Sequence, residues 1–206
     1  MIRGIVKYCL IIGSLVISVS SARAAEQTAV FAGGCFWGVE AVFEHVTGVV
    51  AVRSGYSGGS KETADYETVS AGETKHAESV EVRFDDSKVT YEQLLYVFFA
   101  VAHDPTEVDR QGPDVGTQYR SVIFYKDEKQ KAAAKAFIMA IDMSKALNKP
   151  VATQLVPFSA FYEAEKYHQN NLRNNPKDPY IVTHDLPKLE ALKQKFPSLY
   201  REKPSP

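Results

Sequence analysis

The stretch TAVFAGGCFWGVEAVFEHV, residues 28–46, contains a complete strand-to-helix transition. Thr28 to Ala32 is short, apolar and β-prone, and Gly33-Gly34 closes it as a tight turn would. Beyond the glycines, Val39, Val42, Phe43 and Val46 recur at i, i+3, i+4 and i+7, the spacing of one buried helical face. Cys35 therefore falls at the first turn of a helix, where free backbone N–H groups and the positive end of the helix dipole favour a thiolate. That is the position of an activated nucleophile. The alternative is a buried cysteine packing as a small hydrophobe, and the paired glycines weigh against it because they let the backbone approach a ligand closely.

Working outward, Val49 to Tyr56 alternates as a second strand, and Gly55, Gly58 and Gly59 open a polar loop running to about residue 75. Glu78 to Phe84 alternates cleanly, with Val80, Val82 and Phe84 on one face and Glu78 sharing it. Thr90 with Gln93 forms a capping-box pattern ahead of a helix that buries Leu94, Leu95, Phe98, Val101 and Ala102 and stops at Asp104-Pro105. A strand is expected over 119–125, then a helix from Asp127 with Ala134, Phe137, Ile138 and Ile141 inward, then a strand over 151–156. A helix is read through Phe161 to Leu172, followed by a proline-broken tail wrapping the surface and a short helix over Leu189 to Lys195. The order predicts an α/β (α+β) fold, a two-layer sandwich with helices on one side of a mixed or antiparallel sheet.

The 206 residues begin with Arg3 and Lys7, an apolar run from Tyr8 to Val19, and a small-residue end at Ala22-Arg23-Ala24. This is the pattern of a secretory leader over 1–24, leaving one domain over 25–206 in an exported, periplasmic or secreted protein. The run is short of the roughly 20 residues that a membrane span needs, so no stable membrane insertion is expected after cleavage, with an uncleaved anchor as the alternative. Lys plus Arg number 24 against 25 Asp plus Glu, scattered along the chain, so nothing predicts nucleic-acid binding. Of two cysteines, Cys9 lies in the leader, and Cys35 is left without an internal partner.

Beside Cys35, the rings of Phe36 and Trp37 can wall an apolar pocket for a methyl group or thioether, although core packing explains aromatic residues equally well. Glu78, directed toward the apolar side, would be desolvated and kept protonated, as a general acid must be. Tyr66, Tyr119, Asp114, His76, His103 and His168 are further polar candidates, each more often structural than functional. No HExxH, paired CxxC or GxGxxG occurs, so neither a metal nor a cofactor site is expected.

These segments, GCFWG at 34–38, GYSGG at 55–59, HAE at 76–78, HDPT at 103–106, RQGPDVGTQYRS at 110–121 and FYEAEKYHQ at 161–169, resemble the A-type peptide methionine sulfoxide reductases. The resemblance implies an elaborated ferredoxin-like core and reduction of methionine-S-sulfoxide, free or in proteins. It makes Cys35 the nucleophile and Glu78 the acid on the sulfoxide oxygen, with Tyr66 and Tyr119 hydrogen-bonded to that oxygen. It makes Phe36 and Trp37 the holders of the methyl group, with Asp114 supporting substrate binding. It implies no metal or organic cofactor, and a monomer is expected. Many members carry resolving cysteines near the C terminus, and here Leu172 to Pro206 has none. A single-cysteine enzyme is therefore expected, its sulfenic acid reduced by an external thiol such as thioredoxin, glutaredoxin or glutathione. A thiol peroxidase or redox sensor, and a non-catalytic module that binds oxidised methionine, are the competing readings.

Overall fold

Alternation and capping chemistry account for most of the elements in the computed structural model, which describes residues 26–206. The leader reading lies outside those residues. In chain order they are β1 (Glu26–Ala32), α1 (Phe36–Glu44), β2 (Val49–Ser57), α2 (Tyr66–Ser70), β3 (Ala77–Asp85), α3 (Tyr91–Val97), β4 (Arg110–Gln111) and β5 (Asp114–Val115). There follow β6 (Val122–Tyr125), α4 (Glu128–Ser144), β7 (Gln154–Pro157), β8 (Phe161–Glu163), α5 (Asn171–Asn174) and α6 (Leu186–Lys195). The main sheet runs β7-β6-β1-β3-β2-β8, antiparallel except where β7 lies parallel to β6, and β4 with β5 forms a separate small hairpin.

Within that sheet, the central order β6-β1-β3-β2 joined by α1 and α3 is the ferredoxin-like arrangement, with β7 and β8 added at the edges. The period-2 pattern places Ala29 and Phe31 of β1 and Val80, Val82 and Phe84 of β3 on one face. There they pack with Val39, Val42 and Phe43 of α1 and Leu94 and Leu95 of α3. A smaller cluster of Val30, Ala32, Ala77, Val122 and Phe124 lies on the opposite face beneath Val156, Phe158 and Phe161. At the start of α3, Thr90 and Gln93 make both bonds of the capping box, and Asp127 caps α4 through the Gln130 N–H at 2.7 Å.

Several sequence expectations need correction. The loop after β2 contains α2, because the Asp65 side chain accepts the Thr68 N–H at 2.9 Å and caps a short helix that begins at Tyr66. Tyr119 is not on a strand: it ends a 3-10 turn over Thr117–Tyr119, and pairing begins at Val122. The Arg120 guanidinium holds that turn by donating to the carbonyls of Lys75, His76 and Thr117. The strand expected over 151–156 begins at Gln154, and α4 ends at Ser144, before the Asn148-Lys149-Pro150 stop, with Lys145 left-handed at φ 53°. The helix expected through Phe161 to Leu172 is instead β8, a 3-10 turn over Lys166–His168 and α5. Gly55 makes this possible, since a Cβ there would lie 2.3 Å from the Tyr162 carbonyl oxygen and would push β8 off the open edge of β2.

The tail does wrap the surface, and it clasps the C-terminal end of α1. Arg201 donates to the carbonyls of Glu44 and Val49, while the backbone N–H groups of Arg201 and Ser205 donate to His45 and Glu44. Carbonyls left open at that end of the helix are thereby satisfied.

Candidate active site

Gly34 adopts φ +92°, and a Cβ on it would lie 2.5 Å from the Gln111 side chain, so this turn accepts only glycine without strain. The turn delivers half-buried Cys35 to the N-cap of α1, as its place in the sequence suggested. Its ionisation differs from the expectation. Burial pushes the thiol well above its ordinary range, the carboxylates of Glu78, Asp185 and Asp114 push in the same direction, and the Trp37 N–H only partly opposes them. The helix end acts with the expected sign, but desolvation and three acids outweigh it.

Glu78 comes from β3, opposite Tyr56 of β2, and is buried on the apolar face. Its Oε2 accepts the Phe36 N–H at 3.0 Å, which fixes the carboxyl against the residue next to Cys35. Burial raises its pKa to about 8; the Phe36 bond lowers it and Asp114 raises it. The preceding His76 locks the GYSGG turn to the strand: its Nε2 bonds the Ser60 carbonyl at 2.8 Å and its Nδ1 accepts the Gly59 N–H at 3.3 Å.

Two phenols lie within electrostatic reach of Glu78 and Cys35. Burial raises the pKa of Tyr66, with Glu78 and Cys35 adding, and burial raises that of Tyr119, with Glu78, Asp114 and Cys35 adding. Tyr66 is anchored through its own N–H, which donates to Glu165 Oε1 at 2.9 Å, while Glu165 Oε2 accepts the Tyr56 hydroxyl at 2.9 Å.

Phe36 is buried, and Trp37 is half-buried beside it. Both are oriented by His168, which the sequence offered as a polar candidate without a role. His168 is buried against Phe36, Trp37 and Tyr66, with ring centroids 5.0, 5.8 and 4.4 Å away. Its Nδ1 accepts the Trp37 indole N–H at 3.1 Å, which requires that nitrogen to be unprotonated. Burial lowers the His168 pKa, against the opposing influence of Glu165, and so favours that neutral ring. Tyr180, which the sequence did not single out, meets Trp37 edge-on at 6.0 Å and donates its hydroxyl to Asp114. The signal for both lay in aromatic residues of the polar C-terminal region. His103 takes no part in this cluster, being a buried bridge from the Phe98 carbonyl to Ser121.

Cys35 opens into a pocket of about 140 Å³ shared by Gln111, Asp114, Tyr180, His184 and Lys188. Larger clefts, of about 330 Å³ beside Asn148 and about 360 Å³ beside Tyr91, are lined by neither Cys35 nor Glu78. Among the described residues no group of three or more His, Cys, Asp or Glu side chains is placed to hold a metal ion. The site thus combines one thiol, one buried acid, two phenols and an aromatic wall. It can donate a proton to an oxygen while a sulfur atom attacks beside it.

Comparison with known proteins agrees with that chemistry. The family model described as peptide methionine sulfoxide reductase matches residues 27–200. The peptide methionine sulfoxide reductase MsrA 2 of Mesorhizobium japonicum is 55% identical over 183 residues, 89% of this chain and 94% of its own. That of Synechocystis is 51% identical, covering 86% of this chain and 83% of its own. Among solved structures, methionine sulfoxide reductase A of Corynebacterium diphtheriae superposes with a TM-score of 0.65 at 31% identity, covering 74% of this chain and 76% of its own.

Proposed function

The chain belongs to the peptide methionine sulfoxide reductase family, of the A type, and from that premise we propose how its own residues carry the reaction. The enzyme is an oxidoreductase that reduces methionine sulfoxide to methionine. In the proposed course, the sulfoxide oxygen of the S epimer accepts hydrogen bonds from Tyr66, Tyr119 and the protonated carboxyl of Glu78. Phe36 and Trp37 receive the methyl group, and Asp114 supports the substrate main chain.

Protonation of the oxygen by Glu78 makes the sulfoxide sulfur more electrophilic, and Cys35 Sγ attacks it. The protonated oxygen passes to Cys35 Sγ as the S–O bond and the transient bond between the two sulfurs break, so the thioether gains two electrons, Cys35 becomes a sulfenic acid, and the thiol proton displaced in the attack returns to Glu78. One external thiol then attacks Cys35 and releases the oxygen as water, leaving a mixed disulfide. A second thiol resolves it, restoring Cys35 and forming the reductant's disulfide. The external origin of both thiols is supported by Cys35 being the one cysteine of residues 26–206. Thioredoxin, glutaredoxin and glutathione all fit this chemistry, and the basic-then-apolar start of the sequence supports an exported protein.

The observation that carries this reading is Glu78, a buried acid held near pKa 8 and hydrogen-bonded to the residue following Cys35. It is tested by assaying Cys35→Ser and Glu78→Gln on methionine S-sulfoxide with a dithiol reductant. Cys35→Ser is expected to abolish turnover and Glu78→Gln to slow it by about 10²-fold or more. Full activity of Cys35→Ser would overturn the assignment. Turnover of hydrogen peroxide without turnover of the sulfoxide would favour the peroxidase reading.

A further inference from the structure

The pocket at Cys35 has walls of opposite charge. One wall is Asp114, at the start of β5, with the Tyr180 hydroxyl on its carboxylate. The other comes from the C-terminal segment, where His184 and Lys188 line the same space. Lys188 is positioned by the fold: its Nζ lies 3.3 Å from Oδ1 of the buried Asp185. An ammonium carries three N–H donors, so that bond leaves two for a ligand. The pair is seated against the first turn of α1, where a Cβ on Gly38 would fall 2.1 Å from Asp185 Oδ1 and 2.6 Å from Lys188 Nζ. The last glycine of GCFWG therefore makes room for a charged pair that delivers a cation to the pocket.

A ligand whose reacting sulfur lies at Cys35 must place its remaining atoms in this small space. In methionine sulfoxide only two methylenes separate the sulfur from Cα, so the α-amino and α-carboxyl groups fall within it. Asp114 can accept an N–H from a free amino group and from a peptide amide alike. Lys188 and His184 distinguish the other end, since a free carboxylate forms a charge-assisted bond there and a peptide carbonyl does not.

We propose that Lys188 and His184 form a carboxylate subsite, so that the enzyme takes methionine sulfoxide with a free α-carboxylate, as the amino acid or as a C-terminal residue, more readily than the same residue with that carboxylate amidated. This rests on the reading above that the sulfoxide sulfur meets Cys35.

The test is kcat/KM for methionine S-sulfoxide against methionine S-sulfoxide amide, which differ only in the carboxylate. The wild-type enzyme is expected to favour the acid. Lys188→Met should lower the acid-to-amide ratio about tenfold, mainly through KM for the acid, and Lys188→Arg should restore most of it. Because Lys188→Met leaves buried Asp185 unpaired, the double variant Asp185→Asn with Lys188→Met is measured too, and it should show the same fall. A ratio unchanged between wild type and the double variant would overturn the subsite. Failure of the wild-type enzyme to reduce either compound would overturn the reductase reading itself, and the subsite with it.

Discussion

Glu78 is a carboxyl whose usefulness depends on its staying protonated, and the pocket achieves this by removing water. Its acid form predominates below about pH 8 and is lost above, so turnover of the sulfoxide should fall as pH rises through about 8. Glu78→Gln should lose that falling limb together with its rate, which a pH profile of kcat reads directly. Cys35 and Glu78 were legible in the sequence because a turn-bounded strand and a clean alternation fix where both side chains point. His168 was legible only as a candidate, since its role depends on a contact with Trp37 across 131 residues of chain. His168→Phe keeps an aromatic ring but leaves the indole N–H without its acceptor. Roughly a tenfold rise in KM is expected, with a shift in fluorescence that Trp37, the only tryptophan, reports alone.

At the scale of elements, α1 joins the nucleophile at one end to buried acids at the other. Glu40 is buried, and its Oε2 accepts the Asn170 N–H at 2.9 Å. Burial, with Glu44 adding, raises the Glu40 pKa to about 8. A raised folded-state pKa contributes stability at pH below the unfolded value, near 4.3, and that contribution is lost as pH rises toward about 8. Glu40→Gln should therefore raise Tm at pH 8 relative to wild type by more than it does at pH 5, measured by thermal unfolding. At the other end of the helix, Gly38→Ala forces a Cβ against Asp185 and should cost about 1–3 kcal/mol while loosening the segment over Cys35. Faster alkylation of Cys35 would report the loosening. The capped helices α3 and α4 announced themselves through Thr90 and Asp127. The sequence did not reveal β8, because its pairing depends on an open edge of β2 and the missing side chain of Gly55, not on its own periodicity.

For the whole molecule, a ferredoxin-like sheet holds the acid and the nucleophile, and the C-terminal segment completes the site by supplying His168, Tyr180, His184 and Lys188. The last residues of the same segment clasp the far end of α1. Deleting 201–206 would leave the carbonyls of Glu44, His45 and Val49 without those donors, a loss of about 1–3 kcal/mol and roughly 4–10 °C in Tm. The sandwich was readable from element order, but this wrapping was readable only as a direction, because prolines and polar residues show where a tail leaves the core and not what it touches. The proposed chemistry stands on Cys35 taking the oxygen from methionine sulfoxide. It is tested most directly by a single turnover of methionine S-sulfoxide without reductant, followed by dimedone trapping and peptide mass spectrometry. One equivalent of methionine and a dimedone adduct confined to Cys35 are expected; methionine formed with Cys35 left unmodified would mean that the oxygen goes elsewhere.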